Sequence, residues 1–528
     1  MTRAIGPTRD SGIRLVHGVP RSLTRYAPHM TESRHEHPDM VGADAPPQAP
    51  PGTLPMVVDL DGTLVHTDTL VESALSAFRA DRYLPFRLLP WLLRGRAHLK
   101  ARIAARAGLD VRALPYNAEL IEYLEKERDS GRALHLATAA HRSIADSVAA
   151  HLGLFTQVFA SDELVNLKSD EKARLLVEQF GVSGFVYAGD SRADIPVWRA
   201  AAAAVVVGAP PRVLRGAKAA TRIEREFPRR QSRLSATLKA IRVHQWAKNL
   251  LVFVPAALSH QILQGDLLVR ALVAFVAFSL VASGIYLVND LADLEADRRH
   301  HRKRRRPFAS GALPLTAGLA APILVLVGTG LGAVLTPSLG LLLGTYAAIT
   351  VLYSSRLKTQ PLVDAFTLAL LYTFRLLAGG LATDVRVSIW LLTFSGFFFL
   401  GLAFIKRAGE LMRAPLTSSS RRGYEEPDIR VIETMGIASS FTASLVLALW
   451  VDSGAARSVY GSYGLLWGMV PLVLFWQCRL WLATSRGYME DDPIIYAARD
   501  WVTWIVVGLM AVVFTLASSQ ALPLLVGD

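Results

Sequence analysis

Cysteine is almost absent. Cys478 is the only one in 528 residues, so no intramolecular disulfide can staple the chain, and its apolar surroundings predict a small core residue. Charge is sparse as well: 19% of residues are charged against 52% hydrophobic, a balance that points to membrane protein and away from a single soluble domain. No apolar core of about 7–15 residues lies near the start, so a secretory leader of the usual form is not expected there. Acidic residues are in the minority, 44 against 57 Lys and Arg, for a net charge of +13. Such a surplus suits nucleic acid, anionic lipid or phosphorylated substrates. Most basic residues of the second half sit between apolar runs, which disfavours nucleic acid.

The averages conceal a split. Residues 1–53 are rich in Arg, His, Pro and Ser without apolar periodicity and read as a disordered tail. From Met56, short apolar runs at Met56–Leu60, Ala133–Ala137, Val158–Ala160, Phe185–Ala188 and Ala203–Val207 alternate with helical stretches. That alternation predicts an α/β domain over 54–215 with a parallel sheet covered on both faces. Residues 66–113 interrupt it with helical sequence and read as an inserted cap. Within the cap, Leu88 to Leu93 beside Arg94, Arg96, Lys100 and Arg102 make a basic amphipathic stretch, which fits either a membrane surface or packing on the core. Basic residues across 216–240 read as a linker.

Residues 241–528 predict an all-α polytopic membrane domain. Nine apolar stretches can cross a bilayer, near 247–263, 268–289, 315–335, 338–353, 362–381, 388–405, 435–451, 460–484 and 501–524. Loops after the second, fourth, sixth and eighth carry most of the Lys and Arg, so these and the N-terminal domain are expected on the cytosolic side of the cell (inner) membrane.

In the soluble half, Asp59-Leu60-Asp61-Gly62-Thr63 follows a strand directly, Thr138 ends the next one, Lys172 begins a helix, and Gly189-Asp190 follows another strand with Asp194 four residues on. All fall beyond carboxyl ends of parallel strands, where such sheets bind ligands. A lone Asp-X-Asp-Gly-Thr is a common turn sequence; the ordered set is more specific. It resembles the haloacid dehalogenase superfamily over roughly residues 54–215. The resemblance implies a Rossmann-like fold with Asp59 as the nucleophile that forms an aspartyl-phosphate and Asp61 as general acid and base. It further implies a magnesium ion on Asp59, Asp190 and the Asp61 carbonyl, Asp194 in support, and Thr138 with Lys172 or its rival Lys168 on the phosphoryl oxygens.

In the membrane half, Asn289-Asp290-Leu291-Ala292-Asp293-Leu294-Glu295-Ala296-Asp297 closes the second span. Helical spacing places Asp290, Asp293 and Asp297 on one face with Asn289 beside them. Carboxylates crowded at a membrane boundary repel one another unless a cation compensates them, and magnesium with a substrate diphosphate is the natural candidate. The basic run Arg298–Arg306 follows at once. Alone, such a run fits topology or anionic lipid equally well.

This segment resembles the NDxxDxxxD motif of the UbiA-type prenyltransferase superfamily, over roughly residues 240–528, a family for which nine helices are expected. More narrowly, it is similar to decaprenyl-phosphate phosphoribosyltransferases, through the run from Arg242 to Asn249, Lys303-Arg304-Arg305-Arg306-Pro307, Tyr353 to Lys358, Leu362-Val363-Asp364, Arg375, Lys406-Arg407 with Glu410, and Asp491-Asp492-Pro493. His301, Arg302 and the stretch 413–435 depart from that branch's pattern. The resemblance implies transfer of 5-phosphoribose from phosphoribosyl diphosphate to a polyprenyl phosphate. Metal and diphosphate would lie on Asn289, Asp290, Asp293 and Asp297. Donor contacts would come from Lys248, Lys303, Arg304, Arg306, Tyr353, Lys358 and Lys406, with Asp364 and Asp491 supporting these or touching the ribose. The fused phosphatase would then act on the product's 5-phosphate. Prenyl transfer from a prenyl diphosphate to an aromatic or other acceptor is the alternative, but the loop 406–430 lacks the second Asp-rich motif that such enzymes carry. A transporter or scaffold would place polar residues nearer mid-bilayer than these.

Overall fold

The computed structural model describes residues 54–518 apart from 82, 107, 163–164, 230–231, 260–263, 414–422 and 490–491. The expected tail at 1–53 and the candidate Asp491 lie outside the described residues.

Six parallel strands form one sheet in the order β3-β2-β1-β4-β5-β6: β1 Met56–Val58, β2 Leu134–His141, β3 Gln157–Ser161, β4 Val186–Gly189, β5 Ala203–Val207 and β6 Arg222–Phe227. β1, β4 and β5 are buried along their whole length, as continuous apolar strands covered on both faces must be. The first expected strand therefore becomes the sheet's centre, and Asp59 emerges from its carboxyl end. The cap is helical as expected, with helices Thr69–Ala80, Leu84–Leu93 and Arg96–Ala104. Asp68 starts the first of these by accepting the amides of Leu70 and Val71.

The end of the soluble domain differs from expectation. Helix Pro211–Ala220 and β6 extend the soluble fold through Phe227, so much of the expected linker is structured. As an edge strand, β6 is half-exposed, and its charges in Arg-Ile-Glu-Arg-Glu-Phe made it look like linker. Helix Arg233–Ala240 then leads into the membrane domain.

There, eight helices among the described residues are long and apolar enough to cross a membrane: Gly265–Ala292, Leu315–Leu335, Pro337–Ser355, Val363–Thr383, Ile389–Met412, Asp428–Asp452, Tyr463–Ser485 and Trp501–Ser518. The expected first span differs. It is a 3₁₀ helix, Val243–Phe253, continued by the short α-helix Val254–Leu258 around Pro255. A 3₁₀ helix rises about 2.0 Å per residue and an α-helix about 1.5 Å, so this composite still extends roughly 30 Å. Its Asn249 and Val252 are buried among the long helices. Cys478, expected in the core, is exposed on the helix Met469–Ser485.

The soluble domain sits on the end of the bundle that carries the acidic motif. Val71 and Leu75 of the cap pack on a cluster of Leu287, Leu294, Phe308, Leu313 and Leu315. Beside it, buried Glu72 accepts Arg298 from the short helix Leu294–Arg299, and exposed Arg299 reaches Asp110 at 3.0 Å. Gly311, at φ 72°, lies so close to His66 that a Cβ there would stand 2.4 Å from the His66 Cβ. The junction is a built interface with its own apolar core and a buried ion pair.

Candidate active sites

The soluble site forms where β1, β2 and β4 end. Asp59 leaves β1 buried, and its Oδ1 accepts the Lys172 ammonium at 2.7 Å. Lys172 also donates to the Tyr187 hydroxyl at 2.8 Å, which in turn donates to Asp194 Oδ1 at 3.0 Å. The other Asp194 oxygen accepts the Ser191 amide and hydroxyl at 2.9 and 2.8 Å. Asp194 is thus consumed in holding the loop after β4, while the oxygens of Asp59, Asp190 and Asp194 lie within 4.8 Å of one another. Asp61 Oδ1 accepts the Thr69 amide at the start of the cap, 2.7 Å away. Gly62 takes φ 80°, and a Cβ there would come within 2.5 Å of Asp190 Oδ2, so only glycine lets these two loops close together. Thr138, expected at the end of its strand, lies fully buried within β2, which runs on to His141 past an irregularity in the pairing with β3; its hydroxyl accepts the Ala140 amide at 3.0 Å.

Burial, more than any other cause, raises the three carboxyls: Asp59 to about 6, Asp61 to about 7 and Asp190 to about 8. For Asp59 the Lys172 charge works against that rise, and for Asp190 the charges of Asp194 and Asp59 add to it. A crowded set of buried and half-buried carboxylate oxygens fits a hard divalent cation, with Asp59 and Asp190 the members whose oxygens are least committed elsewhere.

Lys172, and not Lys168, is the lysine bonded to Asp59; Lys168 is exposed and lines the same cavity. Sequence reading missed Lys100. It reaches in from the cap to donate to the Ala139 carbonyl at 2.6 Å and Asn166 Oδ1 at 2.7 Å. Nothing local distinguishes it from the other cap cations; only the fold of the cap brings it here.

The membrane motif is arranged differently from a single helical face. The helix ends at Ala292, Asp293 caps it, and a short helix Leu294–Arg299 follows. Asp290 and Asp297 are buried and share one guanidinium: Arg306 donates to Asp290 at 3.2 Å and to Asp297 at 2.7 Å. Arg242 also pairs with Asp290. Asp293 instead faces Lys358, 3.8 Å away and partly exposed, with Asn289 half-buried beside it. Two of the four residues are thus compensated by arginine, and Asn289 and Asp293 remain the more accessible oxygen donors. That donor set also fits a hard cation.

Lys248 and Lys406 converge on Asp492, at 2.6 and 3.2 Å. Asp492 is nine-tenths buried, and the two ammonium groups hold its carboxyl well below the usual range against the opposing effect of burial. Asp364 is fully buried, ion-paired with Arg407, and accepts the Tyr424 hydroxyl. Arg407 also binds the Tyr353 hydroxyl at 2.9 Å and Glu410 at 2.6 Å. Asp364 and Tyr353 therefore belong to one interlocking network around Arg407. Lys303 is exposed near Asp297, and Arg304 faces the cavity of the soluble site.

Comparison with known proteins agrees with both halves. Residues 250–494 match the UbiA prenyltransferase family, and residues 56–199 match haloacid dehalogenase-like hydrolases. The uncharacterized protein y4nM of Sinorhizobium fredii is 37% identical over 474 residues, covering 88% of this chain and 91% of its own. The nodulation protein NoeC of Azorhizobium caulinodans is 35% identical over 50% of this chain and 86% of its own. Decaprenyl-phosphate phosphoribosyltransferase of Mycobacterium tuberculosis is 33% identical over 51% of this chain and 89% of its own.

Proposed function

Since the chain belongs to the UbiA prenyltransferase family and carries a haloacid dehalogenase-like domain fused in front, we propose that it is a two-step membrane enzyme. The membrane domain transfers 5-phosphoribose from phosphoribosyl diphosphate to a polyprenyl phosphate, and the soluble domain hydrolyses the 5-phosphate of the product. The observation that most supports the first step is similarity along nearly nine-tenths of a protein named for that reaction. The second rests on the soluble site opening towards the membrane domain. Both sites then face the cytosol.

In the first step an oxygen of the lipid phosphate attacks the anomeric carbon, and the bond from that carbon to the diphosphate oxygen breaks. Asn289 and Asp293 would hold a magnesium ion with the diphosphate, and such an ion offsets the charge of the leaving group when bound. Lys303, Arg306 and Lys358 offset further charge, and Lys248 and Lys406 offer a second phosphate contact beside Asp492. In the second step Asp59 attacks phosphorus, the ester P–O bond breaks, and Asp61 protonates the departing hydroxyl. Asp61 then takes a proton from water as the water attacks the aspartyl-phosphate, and inorganic phosphate leaves. A carboxyl raised to about 7 can both give and accept that proton near neutral pH. Asp59 and Asp190 would hold a second magnesium ion, while Lys172, Lys100 and Thr138 face the phosphoryl oxygens.

Purified protein given labelled phosphoribosyl diphosphate and polyprenyl phosphate is expected to yield a ribose-bearing lipid. Consumption of farnesyl or geranylgeranyl diphosphate with an aromatic acceptor, and none of phosphoribosyl diphosphate, would establish the prenyl-transfer reading instead.

A further inference from the structure

The catalytic end of the soluble domain opens into a cavity of about 1390 Å³. Small-molecule sites run to roughly 300–1,000 Å³, so this one exceeds what a sugar phosphate needs. One wall is the phosphatase machinery: Asp59, Asp61, Lys172 and Asp190. The membrane domain and the helix leading into it also line the cavity, with Arg233, Lys239, Arg304 and Arg305. So do Ala312, Pro314 and Leu315, at the start of the span Leu315–Leu335, and the cavity thus reaches the end of the membrane helices.

The loop 298–311 has two faces. Arg306 turns to Asp290 and Asp297 of the transferase motif, and Arg298 is locked to Glu72. Arg304 and Arg305 turn the other way, into the cavity. Among the described residues no carboxylate forms an ion pair with Arg304, Arg305, Arg233 or Lys239, whereas Arg298, Arg299 and Arg306 each have one. Uncompensated cations gathered in a concave, half-enclosed space raise the local concentration of anions. The phosphoryl group at Asp59 already has Lys172 and Lys100, so further unpaired cations lining the same cavity call for a second anion.

We infer that the membrane domain completes the phosphatase site, with Arg304 and Arg305 as a second anion subsite selecting phosphomonoesters that carry another, separate phosphate group. Resting on the two-step reading, this names the substrate class: a sugar phosphate whose other end is a phosphodiester, as the lipid product would be. Soluble sugar bisphosphates share that chemistry, and the two sources are separable by experiment.

The full-length protein in lipid nanodiscs would be assayed for phosphate release from ribose 5-phosphate, ribose 1,5-bisphosphate and a phosphoribosyl phosphopolyprenol. A charged hydrogen-bonded contact corresponds to about ten-fold or more in affinity. The KM for both two-anion substrates is therefore expected at least about ten-fold below that for ribose 5-phosphate. In the double variant Arg304→Gln, Arg305→Gln that ratio should fall towards one, and in Arg304→Lys, Arg305→Lys it should largely persist. A KM shared by all three substrates in the wild type overturns the subsite, as does a glutamine variant that alters mono- and bisphosphate alike. A preference shown for the soluble bisphosphate but not for the lipid keeps the subsite and removes the lipid as its source. That outcome would contradict the two-step reading alone.

Discussion

The two acidic clusters of this protein solve the same electrostatic problem in opposite ways. Around Asp59 the carboxylates are buried or half-buried with Lys172 bonded to Asp59, and loss of solvent raises Asp59, Asp61 and Asp190 towards neutrality. Around Asp290 the protein supplies its own cations: Arg242 and Arg306 compensate Asp290 and Asp297, leaving Asn289 and Asp293 outermost. The first cluster has fewer paired cations than carboxylates, which suits a divalent ion and a phosphoryl group. The second is held in shape by arginine before any ligand arrives. A motif's residue types thus say that cations are needed, and the fold decides whether they come from the chain or from solution.

The comparison breaks most readily at Asp59. Asp59→Asn keeps the side chain's shape but removes its nucleophilic charge, and phosphate release should fall by at least about 10³-fold. Phosphoribosyl transfer should continue. Loss of both activities at once, in protein that remains folded, would show the sites to be inseparable.

Asp293→Ala tests the other cluster. Because Asp293 stands outside the arginine-paired core, the variant should stay folded while lipid product formation drops by about 10²-fold or more. The check is turnover alongside a thermal melt, and wild-type turnover in the variant would remove Asp293 from the metal site.

Next in size is the junction. Removing one partner of a buried ion pair costs about 3–5 kcal/mol, so Glu72→Gln should destabilise the docked arrangement by that order. Limited proteolysis between the domains should accelerate, and an unchanged cleavage rate would mean that the pair contributes little. The smallest expected change is at Lys100. It reaches the site only from the cap, so Lys100→Met should raise the phosphatase KM by about ten-fold and leave transfer untouched.

Much of the soluble site was legible because its residues follow strand ends in chain order: Asp59 after β1, Thr138 in β2, Asp190 after β4. Strand–helix alternation fixes where those ends meet, so spacing alone carried them to one place. Lys100 was not legible, because a cap helix has no register with the sheet until it folds over it. In the membrane half, hydropathy found every long span but misjudged Val243–Leu258, whose Pro255 and buried Asn249 accompany a tighter helix with the same reach. The acidic motif was visible, but the break at Asp293 was not, and neither was the pairing of Asp290 with Arg242, some fifty residues upstream. The family resemblance placed Asp364 near the donor; full burial against Arg407 and Tyr424 is a packing fact that no linear pattern carries.

The central claim is that the two sites act in sequence on one lipid, aided by a tether that keeps each near the other. Its most direct test is mass spectrometry of the lipid formed from labelled phosphoribosyl diphosphate and polyprenyl phosphate, comparing wild type with Asp59→Asn. The wild type should yield a polyprenyl phosphoryl ribose without its 5-phosphate, and Asp59→Asn should accumulate the phosphorylated lipid. The same fully phosphorylated lipid from both proteins would contradict the account.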